Sequence, residues 1–218
     1  MASSRYKRMD PDTQRRILDA ARAEFLEHGY EAASINRIIQ AAGINKGSLY
    51  YYFEDKADLF VKVMQAVEQT MIAAVADLDL TRILKSPPSD FWGYLESASL
   101  QKIAFAIQYP DLTRLSTEFY FQATKPAASP SFKAYLAQAR DSLKDLLRMG
   151  QVQGAVRDDL PLELLTDLTF GVSEIMNRPI LEQLESLETW GPDEITRYTE
   201  PQIEMLRRML APKGGNSQ

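Results

Sequence analysis

Residues 34–53 read SINRIIQAAGINKGSLYYYF, and this stretch decides the fold. Ser34 is a good helix opener, because its hydroxyl can accept a backbone N–H of the first turn. Ile35, Ile38, Ile39 and Ala42 follow at offsets 0, 3, 4 and 7, which is one apolar helical face. Gly43 breaks that helix, and Asn45 can cap a third, short one whose apolar side is Leu49 and Phe53. Two short helices joined by Ala42-Gly43-Ile44 have the spacing of a helix-turn-helix, in which the second helix enters the major groove of DNA.

The outer face of that second helix is Asn45, Lys46, Gly47, Ser48, Tyr50, Tyr51 and Tyr52. A solvated surface helix rarely spends three tyrosines. Their hydroxyls can donate to phosphates, and their rings suit thymine methyls and sugar edges. Lys46 brings charge to a phosphate or a guanine edge. Gly47 lets the backbone come close to a partner. Ser34 and the N–H groups of its helix can hold a phosphate on the helix dipole. Taken alone, the YYYF run suits a core or a protein interface equally well; its register with Ser34, Gly43 and Lys56 favours DNA.

Upstream, a helix is expected from Pro11 to His28, with Ile17, Ala20, Ala21 and Phe25 as its apolar stripe and Gly29 as its C-cap. His28, the one histidine, reads as a helix-end cap. Downstream, Asp55 with Asp58 resembles a capping box that opens a long helix to about Asp79. Pro87-Pro88 marks a loop. Further helices are expected over about 89–109, 112–123 and 132–149, then after Pro161 with a kink or break near Asn177 caused by Pro179. A last one runs from Gly191-Pro192 to Leu210, bending at Pro201. Residues 212–218 read as a disordered tail. The expected fold is all-α, with about nine helices.

Residues 17–59 resemble the N-terminal module of the tetracycline-repressor (TetR) family. The residues that carry the resemblance are Ile17, Ala20-Ala21, Phe25, Gly29-Tyr30, Ser34-Ile35, Ile38-Ile39 and Ala42-Gly43-Ile44, then Lys46 through Phe53, Lys56 and Leu59. The resemblance implies that Ser34, Ser48, Tyr50, Tyr52 and Lys56 contact phosphates, and that Lys46, Gly47 and Tyr51 face the bases. Tyr51 and Tyr52 stand where the family often has a basic residue and a histidine, and Ile39 stands where it often has alanine. The resemblance divides the chain into a basic arm (1–10), a DNA-binding domain (11–56), a ligand-binding and dimerisation domain (57–210) and a tail (211–218).

The body of the chain is rich in aromatics, which suit either a helical core or a cavity. Trp92, Phe105, Phe119, Phe170 and Met176 are the candidate cavity wall. The helix after Pro161 has two apolar faces: Leu162, Leu165, Thr169, Val172 and Met176 on one, Leu164, Leu168, Gly171 and Ile175 on the other. Two faces need two partners. We assign Leu162, Leu165, Thr169 and Val172, with Leu206 of the last helix, to a homodimer interface in an intermolecular four-helix bundle.

Composition bounds the remaining classes. The net charge is −5, but residues 1–56 are net +1 and the rest net −6, so the head alone suits DNA. There is no cysteine, which excludes disulfides, thiolate metal sites and cysteine nucleophiles. No stretch approaches a membrane helix and the N-terminus lacks a secretory apolar region, so a cytoplasmic protein is expected. No carboxylate pair, Ser/His pair, metal cluster or phosphate loop has credible spacing, so neither an enzyme nor a cofactor is expected. The expected function is a transcriptional regulator, a repressor that binds a palindromic operator as a homodimer and is released by a small apolar or amphipathic effector. The long fourth helix is the expected lever between effector and head. An activator, or a helical ligand-binding protein without DNA binding, is the alternative.

Overall fold

The structure is a computed structural model that describes residues 6–77, 90–182 and 189–212. Among these residues there is no strand. A short 3₁₀ turn, Tyr6–Arg8, precedes α1 (Pro11–Ala32), α2 (Ile35–Ala42), α3 (Lys46–Tyr52), α4 (Lys56–Asp77), α5 (Phe91–Gln108), α6 (Pro110–Ala123), α7 (Pro130–Val152), α8 (Leu162–Glu182) and α9 (Pro192–Leu210). The Pro87-Pro88 loop and the tail beyond Pro212 lie outside the described residues.

The chain forms two compact units: 1–74 with 111–137, and 75–110 with 138–218. The first unit is built around α1, whose inner stripe of Ile17, Ala21 and Phe25 is buried. Gly29 interrupts α1 with φ 70°, a conformation that costs glycine little, and one more turn follows to Ala32. The rest of this core is aromatic. The rings of Phe25 and Phe60 stack at 4.3 Å, Phe60 meets Phe119 edge-on at 5.2 Å, and Phe119 meets Phe132 and Tyr135 at 5.2 and 4.8 Å. Offset and edge-on rings at these separations are the favoured packings. Phe119, expected on a cavity wall, is therefore sealed in the core of the first unit, only 1% exposed.

The second unit has a core of Phe91, Leu147, Val156, Leu165 and Leu210, and a second cluster of Leu100, Ile103, Ala106 and Ile195 that joins α5 to α9. Gly150 is required by the first of these. A Cβ there would meet the Val156 side chain at 2.5 Å and the Phe91 ring at 2.7 Å. The Arg157 N–H closes the turn by donating to the Leu210 carbonyl at 2.7 Å. Two ion pairs, Arg140 with Asp167 and Lys144 with Glu163, join α7 to α8.

α8 runs unbroken through Pro179 to Glu182. Proline removes one backbone hydrogen bond, and a helix survives that loss where the neighbouring turns hold it. Three of the five residues assigned to the dimer contact are taken up by the chain's own interior. Leu165, Thr169 and Leu206 are buried inside the chain itself, and Leu162 packs on the same core. Val172 is half-buried. The side chains presented outward are Leu164, Leu168 and Ile175 on α8, the last 74% exposed, with Met205 on α9. Both faces of α8 are apolar, and sequence periodicity alone does not say which one the chain's own core takes.

Candidate nucleic-acid interface

The head is held by caps. The Ser34 hydroxyl accepts the Arg37 N–H at 3.4 Å and starts α2. Gly43, with φ 65° and ψ 39°, ends it in the left-handed region, and its N–H bonds back to α2. Asn45 accepts the Ser48 N–H at 2.7 Å and starts α3. α4 opens on Asp55, which accepts the Asp58 N–H at 2.7 Å. The Asp58 carboxylate reaches back to the Glu54 N–H at 3.1 Å, one residue earlier than a capping box requires. These polar residues fix where each helix begins, and so the angle at which α3 leaves the turn.

On α3, Leu49 and Phe53 point inward and are buried. Lys46, Gly47, Tyr50 and Tyr51 point outward, with Tyr50 48% and Tyr51 55% exposed. Ser48 and Tyr52 are half-buried. The Lys46 ammonium lies 5.9 Å from the centre of the Tyr50 ring, and Tyr51 meets Tyr52 edge-on at 4.9 Å. A Cβ at Gly47 would come no nearer than 3.4 Å to another atom, the Asn45 Oδ1. The fold therefore does not itself require glycine there; a close external partner would.

Ser34 and Lys56 sit together. The Lys56 ammonium donates to the carbonyls of Glu31 at 3.0 Å and Ala33 at 3.3 Å, and lies 4.7 Å from the Tyr30 ring centre. It covers the carbonyl end of α1, where a cation is favoured. Burial, with the Asp55 and Glu31 carboxylates nearby, pushes the Tyr30 hydroxyl up to about 12, so it stays neutral.

One pair was not anticipated from sequence. Glu24 on α1 is buried, and its carboxylate accepts the Ser34 N–H at 2.7 Å and the Arg37 Nε at 2.9 Å. Arg37 Nη2 also donates to Glu24 and to the Ala32 carbonyl at 3.1 Å. Glu24 was legible in principle. It lies seven residues beyond Ile17 and three beyond Ala21, on the stripe that faces inward, where a charge requires a partner.

Residues 17–63 match the sequence profile of bacterial regulatory proteins of the tetR family. Residues 17–63 are thus similar to the tetR-family module over their whole length. The chain is 28% identical to an HTH-type transcriptional repressor of Streptomyces coelicolor, over 92% of this chain and 96% of that one. It is 29% identical to the HTH-type transcriptional repressor NicS of Pseudomonas putida, over 68% of each chain. In fold it is similar to a tetR-family transcription regulator from Shewanella, with a TM-score of 0.62 over 93% of this chain and 99% of that one, at 21% identity. The capped α2-turn-α3 unit lies inside the matched residues and is thus the helix-turn-helix of a transcription regulator.

The five expected wall residues are not one cluster. Phe119 belongs to the first unit's core. In the second unit, Phe105 is buried and packs on Tyr109 at 4.9 Å. Trp92 is half-buried with the Arg207 guanidinium 4.7 Å from its ring centre. Phe170 and Met176 are half-buried, and the Met176 carbonyl accepts the Tyr198 hydroxyl at 2.6 Å. A cleft of about 240 Å³ between α5 and α9 is lined by Glu96, Thr199, Glu200, Ile203, Glu204 and Arg207, none of them an expected wall residue.

Proposed function

We propose that this regulator is a repressor that binds a two-fold symmetric operator as a homodimer and is released by a small apolar or amphipathic effector. The observation that carries the DNA reading is the outward set Lys46, Gly47, Tyr50 and Tyr51 on a recognition helix capped at Asn45. Lys46, Gly47 and Tyr51 are assigned to base edges. Ser34, Ser48, Tyr50, Tyr52 and Lys56 are assigned to phosphates, which position the head without reading sequence. Residues 34–53 form the reading motif within 11–56, and residues 57–210 serve effector binding and dimerisation.

The dimer reading is supported by the apolar stripe of Leu164, Leu168 and Ile175 on α8, with Met205 on α9. A second copy covers it by a self-complementary, two-fold contact. The effector reading is supported by the second unit's partly buried Trp92, Phe170 and Met176. No helix among the described residues is long and apolar enough to cross a membrane, and the proposed site of action is the cytoplasm. Gel retardation on the DNA upstream of the chain's own gene tests the reading. A shift that is reversed by an apolar compound, which also raises the melting temperature, supports it. A shift that no compound reverses removes the effector. No shift at all removes the operator.

A further inference from the structure

We propose that Arg37 is a DNA-phosphate contact and that Glu24 is the residue that positions it. This rests on the DNA-reading assignment of the head. In a helix-turn-helix the first helix crosses the nucleic-acid backbone while the second lies in the groove. Arg37 is on that first helix, α2, three residues past its cap at Ser34. Its side chain is 50% exposed, whereas the Glu24 carboxylate that holds it is 8% exposed. Of the guanidinium nitrogens, Nε and Nη2 are taken by Glu24 and the Ala32 carbonyl. Nη1 donates no hydrogen bond to any described residue.

A guanidinium is planar and rigid, so gripping it along one edge aims the opposite edge. Here the gripped edge faces the buried carboxylate, while the side chain as a whole is half exposed. The Lys56 ammonium lies on the same stretch of backbone, at the carbonyls of Glu31 and Ala33. Ser34, Arg37 and Lys56 thus gather around one joint between α1 and α2. Burying Glu24 costs desolvation, which only good partners offset. Glu24 has them: Arg37 on one side, the Ser34 N–H on the other. One carboxylate therefore fixes both the α2 cap and the guanidinium. A contact preorganised in this way loses little side-chain freedom when it meets a phosphate.

The test uses the full chain and two duplexes of equal length: one enriched from a random pool by the wild type, the other of unrelated sequence. Affinity is measured between roughly 50 and 200 mM salt. Arg37→Ala is expected to weaken binding about ten-fold on both duplexes, because phosphates carry no sequence. The slope of log affinity against log salt becomes shallower by about one. Arg37→Lys keeps the charge but not the fork, so its slope stays near wild type while its affinity falls. Glu24→Gln removes a negative charge near the phosphates, and by charge alone it would bind DNA more tightly. The positioning role predicts the reverse, weaker binding with the slope kept. Helix content and melting are read on the same samples, and if Arg37→Ala fails to fold, Arg37→Lys and Glu24→Gln carry the test. An unchanged slope in a folded Arg37→Ala variant, or tighter binding by Glu24→Gln, overturns the proposal and leaves the DNA-reading assignment intact. A wild type that enriches no duplex overturns that assignment and this proposal with it.

Discussion

The Asn45 side chain accepts the Ser48 N–H at 2.7 Å, and this bond starts the recognition helix. α3 has only seven residues, too few to be stable on its own. It depends on that cap, on the buried Leu49 and on the buried Phe53 just past its end. Asn45→Ala is expected to lower stability by about 1 kcal/mol. It weakens DNA binding further, because the exposed face of α3 then begins from a frayed turn. Chemical denaturation and DNA titration on the same variant check this; unchanged affinity would detach the cap from recognition.

The two faces of α8 separate into distinct phenotypes. Leu168→Asp and Ile175→Asp place charges on the outward stripe, and both should give monomers with helix content kept and DNA binding lost. Leu165→Ala empties a fully buried site and should cost about 2–5 kcal/mol of stability. Sedimentation and thermal unfolding distinguish them. A stable dimer in Ile175→Asp would remove the outward stripe from the interface.

The helix-turn-helix was legible because local rules govern it. Ser34, Gly43 and Asn45 act within four residues of themselves, and the apolar spacing of α2 has one reading. α8 was not legible in the same way. Its two apolar stripes are equally good by period, and the distant residues Phe91, Leu147, Val156 and Leu210 decide which one goes inside. Phe119 failed for a related reason: an aromatic on a helix is core or cavity according to what faces it. Its partners, Phe60 and Phe132, lie 59 and 13 residues away. Glu24 and Arg37 are 13 residues apart across a helix junction, beyond any local pattern.

Glu24 gives the head an acid limit. Hydrogen bonds from Arg37, with the Ser34 N–H and the nearby positive charge, hold its carboxyl below the usual range, against the opposing effect of burial. A depressed pKa in the folded state adds stability that is complete above the unfolded value, near pH 4.3, and is lost as pH falls through the lower folded value. Wild-type stability should therefore fall through that acid window more steeply than that of Glu24→Gln. Denaturation midpoints from about pH 6 downward check it, and parallel curves would deny Glu24 this role.

Phe119→Ala should behave as a core truncation. The ring touches Phe60, Phe132 and Tyr135 inside the first unit, and its loss is expected to cost about 3–5 kcal/mol. The concentration of effector needed for half-release, measured at a temperature where the variant is folded, should be unchanged. A stable variant with a weakened effector response would return Phe119 to a cavity wall.

In the proposed complex two copies of α3 read a symmetric DNA site through Lys46, Gly47 and Tyr51. Selection from a random duplex pool, followed by sequencing, tests it most directly. The wild type should enrich an inverted repeat whose half-site centres lie about 34–36 Å apart, or a multiple of that spacing. Tyr51→Ala should alter the preferred bases within each half-site and leave the spacing between them intact. Enrichment of no sequence by the wild type, or an unchanged preference in Tyr51→Ala, Lys46→Ala and Gly47→Ala alike, would contradict the account.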